Sequence, residues 1–119
     1  MTLVPLTTYL RMFRKRTGFT HEEVAFLCGG MCGSSISRHE RGAQLPMLKT
    51  ALMYEFILQT SVRDLYVGLF HDARASVRAR AEGMRASLLR GRKTPGRDHK
   101  IAVLQALLEE TGDIAHAHS

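Results

Sequence analysis

The chain contains no tryptophan, only two cysteines and three prolines, and no apolar run approaching the ~18–20 residues that a membrane span requires. The missing run argues against a transmembrane helix. Cys28 and Cys32 are too few for a disulfide framework, which makes a reducing cytoplasm the expected setting. They also lack the second cysteine or histidine pair of a zinc site, so no metal is expected. Met1 to Pro5 has neither the basic nor the apolar stretch of a secretion signal. β-Branched residues never alternate with polar ones over a useful length, which leaves no convincing strand. No carboxylate pair or nucleophile–base arrangement stands out, and the glycine-rich turn at Gly29–Gly30 lacks the Lys-Ser/Thr and preceding strand of a phosphate-binding loop. Neither an enzyme nor a cofactor is therefore expected. The three Tyr and five Phe fall mostly at core-like spacing, which argues against an RNA-binding module.

What is present suits a small soluble protein with basic character. At 119 residues, 45% hydrophobic and 24% charged, the chain supports one ordinary domain with an appendage. Seventeen Lys+Arg against eleven Asp+Glu give +6, a balance that attracts phosphate but is shared with other basic proteins. Residues 1–70 carry eight cations and five anions and residues 71–119 nine and six, so no isolated basic tail accounts for the excess.

Glycine and proline punctuate a sequence that otherwise reads as helix. A first helix is expected from about Leu6 to Arg16, with Tyr9, Leu10 and Phe13 as its apolar stripe and Gly18 as its stop. Thr20 and Glu23 have capping-box spacing and open a second helix, which buries Val24, Ala25, Leu27 and Cys28 and breaks at Gly29–Gly30. A third runs from Gly33 or Ser34 to Glu40, before Gly42. Pro46 suits the first turn of a fourth helix reaching Leu58. Ser61, with Asp64 following, caps a fifth that ends near Gly68. An Ala/Arg-rich helix is expected over His71–Leu89, weakened at Gly83, and a last one over Asp98–Glu110 with Ile101, Leu104, Leu107 and Leu108 on one face. Between them lies a basic linker, residues 90–100. Its Arg90, Arg92, Lys93, Arg97 and Lys100 read first as a solvated run and second as phosphate binders. The tail Gly112–Ser119 is expected to fray; its His116 and His118 read as solvated rather than as metal ligands.

Two short helices around a glycine turn, the second rich in small polar residues and followed by arginine, have the shape that enters a major groove. Ser34, Ser35 and Ser37 leave room for close approach to base edges, and Arg38 can fork onto guanine. At this point residues 6–70 resemble the lambda-repressor/Cro-like helix-turn-helix domain. The resemblance is carried by Leu10-Arg11 through Arg14, by Gly18-Phe19-Thr20-His21-Glu22-Glu23-Val24-Ala25, by Ile36-Ser37-Arg38-His39-Glu40-Arg41-Gly42, and by Pro46 and Leu58–Ser61 to Leu65. It implies an all-α fold: a five-helix lambda-repressor-like DNA-binding domain over 1–70, and two further helices over 71–119. It also implies base readout by Gly33, Ser34, Ser37 and Arg38, phosphate contacts at Thr20, His21, Arg41 and Gln44, and a structural pair between Arg14 and Glu40. The stretch Gly29–Gly33 is one residue longer than the family's usual turn, which shifts the presentation of the third helix.

Cys28 reads as a small core residue, and Cys32 as a surface thiol with a redox role as the sharper alternative. The fourth helix is apolar nearly all round. Leu48, Ala51, Tyr54 and Leu58 fit an inward face, while Leu52, Met53, Phe56 and Ile57 need another cover. Leu52, Met53 and Phe56 are therefore the expected interface, covered by residues 71–111, by a second copy, or by both. Glu55 among them needs a partner, expected as an arginine from the C-terminal helices. The resulting expectation is a cytoplasmic, nucleoid-associated, bacterial or phage-like transcriptional regulator, dimeric on a palindromic operator in double-stranded DNA. The competing expectation is an antitoxin or adaptor that chiefly binds a protein.

Overall fold

The computed structural model describes residues 8–117, with side chains described to residue 109. Among the described residues the chain is all-helical, with seven helices and no strand. It divides into two compact units, residues 1–70 and 71–119, and the division falls inside a continuous helix.

Helix α1 spans Leu10–Thr17 and stops at Gly18, whose left-handed φ of 84° suits a residue without a Cβ. Arg14, Lys15 and Arg16 occupy its last turn, where cations complement the carbonyl end of the dipole. The helix begins later than the expected Leu6, itself outside the described residues, because Tyr9 N–H donates instead to Leu65 O at 2.9 Å. Tyr9 thus leaves the apolar stripe and stays more exposed than buried Leu10.

Helix α2, His21–Leu27, opens on the capping box: Thr20 Oγ1 accepts the Glu23 amide while Glu23 Oε1 accepts the Thr20 amide. Val24, Ala25 and Cys28 are buried, but Leu27, expected beside them, is 48% exposed because it falls one residue before Cys28 and off the buried stripe. Gly29 and Gly30 then take φ values of 96° and 92°, and the amides of Gly30 and Met31 both return to Ala25 O. This double left-handed turn lets α3, Gly33–Glu40, cross back over α2.

Helix α4 spans Leu48–Leu58, starting after Pro46 rather than at it, with Met47 as N-cap. Its C-cap is Gln59, left-handed at φ 54°, a position with no glycine to advertise it. Ala51, Tyr54 and Leu58 are buried, whereas Leu48, expected inward, is 73% exposed because the helix has only just begun there. Met53 and Ile57, expected to need an outside cover, pack against the core instead. Short α5, Val62–Leu65, is capped by Ser61 Oγ, which accepts from Asp64 N–H at 3.0 Å.

The core of the first unit joins Leu10, Val24, Ala25, Cys28, Ile36, Tyr54, Leu58, Leu65 and Tyr66. Each fully buried large side chain among them, such as Ile36 or Leu65, contributes roughly 1.5–3 kcal/mol.

Helix α6 runs unbroken over Val67–Arg90, through Gly68 and Gly83. A fifth helix ending near Gly68 and a sixth starting at His71 are thereby corrected. A mid-helix glycine costs only about 1 kcal/mol, which the alanine- and arginine-rich sequence absorbs. The linker is shorter than 90–100, because α7, Arg97–Ala117, takes up its second half. The backbone of α7 also continues past Glu110 to Ala117, so the expected fraying from Gly112 does not occur over that stretch; His118 and Ser119 lie outside the described residues. Ala115 and Ala117 favour helix and offset Gly112.

Within the second unit α6 and α7 form an antiparallel hairpin. Arg78 Nη1 donates to Leu108 O at 2.7 Å, and Arg97 Nε to Leu88 O at 2.8 Å. Arg97 also donates to Leu89 O and is only 16% exposed, so it closes the carbonyl end of α6 instead of lying in a solvated basic run. None of the described helices is long and apolar enough to cross a membrane.

Candidate functional site

Helix α3 has two unlike sides. Inward, Ile36 and His39 are buried at 2% and 4% exposure. Outward, Ser34 and Arg38 are exposed, and Ser35 and Ser37 half-buried. The sequence Gly-Ser-Ser-Ile-Ser-Arg-His-Glu produces this division directly, since Ile36 and His39 are three residues apart and share a face.

The inner side is held by a charged network. Arg14 Nε donates to Glu40 Oε2 at 2.5 Å, its Nη2 to Glu40 Oε1 at 3.3 Å, and its Nη1 to Phe19 O at 2.9 Å. One guanidinium thus ties α1 to α3 and to the residue preceding Thr20. Burial would raise the Glu40 carboxyl, but hydrogen bonds from Arg14 and His21 outweigh it and hold the group below its usual range. Thr8 Oγ1 donates to Glu40 O at 2.8 Å and fixes the end of α3 from another side.

His39 Nδ1 lies 2.6 Å from the Tyr54 hydroxyl, with the two rings edge-on. Burial first, and the adjacent Arg38 charge second, lower the His39 pKa and favour the neutral ring. Burial raises the Tyr54 phenol, with smaller contributions from Cys28, Tyr66 and Glu40. The inward side of α3 is therefore fixed by a buried polar pair as well as by Ile36. Sequence reasoning missed this pair, because fifteen positions separate its members and no local spacing signals it.

On the outer side Arg38 bridges two candidate contact residues. Its Nε donates to Gln44 Oε1 at 3.3 Å and its Nη2 to Ser35 Oγ at 3.2 Å. Arg41, at the C-cap of α3, is exposed, as is Gln44. Arg38, Ser35 and Gln44 are thus brought together, while Ser34 stands apart at the first turn. Gly33 differs from these. A Cβ placed on it would meet the Glu22 side chain and lie 3.4 Å from His21 Cβ, so the residue faces the start of α2. Its smallness serves helix crossing.

Thr20 and His21 also have partners within the protein. The Thr20 hydroxyl belongs to the capping box, and His21 Nε2 lies 3.1 Å from Glu40 Oε1. Among the described residues, no three His, Cys, Asp or Glu side chains group closely enough to hold a metal. Cys28 is buried, which pushes its thiol pKa up, and Cys32 is exposed at the N-cap of α3.

The α4 residues singled out from the sequence diverge. Leu52 and Phe56 are 52% and 80% exposed; Leu48, one turn before Leu52, is also exposed, as are Leu45 and Met47 ahead of the helix. Met53 turns to the core. Glu55 finds a backbone partner in place of the expected arginine: Val62 N–H donates to its Oε1 at 2.8 Å, because Gln59 turns the chain back over the helix end. A second apolar surface, unforeseen from the sequence, lies on α2. There Phe26 and Leu27 line a shallow groove with Phe19, Glu22 and Glu23.

No family model, no curated protein and no solved structure matches this chain.

Proposed function

We propose that the chain is a sequence-specific double-stranded DNA-binding regulator of the lambda-repressor/Cro-like type, with α3 as its recognition helix and a dimer on a palindromic operator as its working form. The observation that carries this reading is the two-sidedness of α3. Its inner side is locked by Ile36, His39 and Glu40, and its outer side offers only small polar groups and Arg38. A rigid helix with short outward side chains approaches base edges closely, and an arginine supplies bidentate contact to guanine.

In this reading Ser34, Ser35, Ser37 and Arg38 contact bases, and Gly33 serves close packing at the same end of the helix. Arg41 and Gln44 lie on the flanking backbone. Thr20 and His21 stand at the start of α2, where the helix dipole favours a phosphate. The Arg38–Gln44 and Arg38–Ser35 hydrogen bonds hold the guanidinium ready in the free protein. In a dimer two such helices sit about one helical turn apart, ~34 Å. Selection of bound duplexes from a random pool, at stated salt, tests the reading; an enriched palindromic motif supports it, and no enrichment opposes it.

A second reading, an antitoxin or adaptor that binds a protein, is favoured by the exposed apolar surface of Leu45, Met47, Leu48, Leu52 and Phe56. It predicts a stoichiometric protein partner released by charged substitution at Phe56, with duplex binding absent or secondary.

A further inference from the structure

The cations expected as a basic linker gather at the turn of the α6–α7 hairpin. Residues 90–100 hold five of the chain's seventeen cations and one of its eleven acids, and so carry +4 of the total +6. Between Glu82 and Glu109 there are six cations, and Asp98 is the only acid. Arg97 is engaged within the fold by Leu88 O and Leu89 O, while Asp98 pairs with Arg97 and with Lys93 Nζ at 3.3 Å. Arg90, Arg92 and Lys100 are left exposed, with no ion pair among the described residues.

The turn that carries them is tied at several points. Gly91 N–H donates to Ser87 O at 3.1 Å, Arg97 N–H to Thr94 O at 3.1 Å, and Lys100 N–H to Gly96 O at 2.9 Å. Gly96, left-handed at φ 82°, leads the chain into α7. Three cations are thereby held close together along a short, braced turn, so binding a polyanion need not first order a loop. Their mutual repulsion opposes the compact state until an anionic surface relieves it.

The chemistry of the turn narrows the choice of polyanion. No Phe, Tyr or Trp follows Phe70, so nothing there stacks on the bases of a single strand. A segment that lies on a membrane combines basic residues with large apolar ones that enter the acyl boundary. Residues 90–100 contain none of these, and Leu89 is the only exposed large apolar residue that borders them. A duplex sugar–phosphate backbone, bound by charge without base readout, fits such a surface. We propose that the α6–α7 turn, through Arg90, Arg92 and Lys100, is a second DNA-contacting surface, independent of sequence and distinct from α3. The inference rests on the DNA-binding reading for the identity of the polyanion, and its test separates the two.

The experiment titrates the full chain with a random-sequence duplex over a range of salt. The turn variant combines Arg90→Gln, Arg92→Gln and Lys100→Gln. A control with the same change in net charge combines Lys15→Gln, Lys49→Gln and Arg80→Gln. All six positions are exposed, so both variants should keep their helix content by circular dichroism. In the turn variant the slope of log affinity against log salt should become shallower by about 2–3, at ~0.9 per lost phosphate contact. Its affinity at about 0.1 M salt should fall about tenfold or more, and the control should stay close to wild type. A turn variant that binds as wild type does, or a control that loses as much, overturns the inference. So does binding of phosphatidylserine vesicles that the turn variant abolishes while its duplex binding is intact. An unchanged slope in a chain that selects a duplex motif removes the turn alone. Turn-dependent binding of random duplex by a chain that selects no motif removes the sequence-specific reading alone.

Discussion

The Tyr54 hydroxyl of α4 and the Nδ1 atom of His39 in α3 lie 2.6 Å apart, both side chains buried, with the imidazole edge-on to the phenol. This contact fixes the back of the helix whose front carries Arg38. Tyr54→Phe leaves the ring nitrogen without its partner in a buried setting, an expected cost of about 1–3 kcal/mol in denaturant melts. Tyr66 provides the comparison. Its hydroxyl is buried without a partner among the described residues, and burial pushes its pKa up to about 12. Tyr66→Phe removes a desolvated hydroxyl and no hydrogen bond, so it should leave stability unchanged or raise it by up to about 1 kcal/mol. Equal losses from the two substitutions would contradict this assignment.

Acid should unfold the protein in two overlapping steps. His39 binds its proton less readily folded than unfolded, so its contribution is complete above the ordinary value of 6.5 and declines as pH falls below it. Glu40 is likewise held below its ordinary 4.5, so the stability it supplies is present above that pH and is lost as pH falls further through the folded value. Thermal midpoints should therefore be level above about pH 7 and descend on acidification. His39→Gln should flatten the upper part of that descent and leave the lower part. A midpoint that rises from pH 7 to pH 5 would refute the assignment.

Removing one partner of the Arg14–Glu40 pair strands the other where side-chain exposure is only 12% and 5%. Arg14→Met should cost roughly 3 kcal/mol in urea unfolding, well beyond the median surface ion pair. A loss below about 1 kcal/mol would mean that His21 and water compensate.

Glycine positions separate by conformation. Gly30, at φ 92°, should lose about 1–2 kcal/mol on replacement by alanine. Gly83 lies inside α6, and a methyl group added to it would meet nothing within 4 Å, so Gly83→Ala should gain about 0.5–1 kcal/mol. Opposite signs in paired melts are the expected result.

Much of the helix layout was readable because it depends on neighbours. Thr20 with Glu23, Ser61 with Asp64, and Gly18 are interactions within one turn, and each caps its helix as the spacing indicated. Ala51, Tyr54 and Leu58 share a buried face for the same periodic reason. Of the pairs that organise the candidate site, Arg14–Glu40 was expected from the resemblance, whereas His21–Glu40 and His39–Tyr54 were not readable. His21 reaches Glu40 across nineteen positions and His39 reaches Tyr54 across fifteen, and outside the site Arg97 reaches carbonyls of another helix. Such contacts depend on how helices meet, which side-chain spacing does not encode. Gln59 escaped notice because a left-handed cap on a non-glycine residue is imposed by packing and not by propensity.

The most direct test of the account is an Arg38→Ala titration against a selected duplex and a random duplex of equal length, across a range of salt. The wild-type chain should prefer the selected duplex and lose affinity steeply with salt. Arg38→Ala should shed about 1–3 kcal/mol of that preference while unfolding at the same temperature as wild type. Equal binding of both duplexes by wild type, or a preference untouched by the substitution, would contradict α3 as the reading helix.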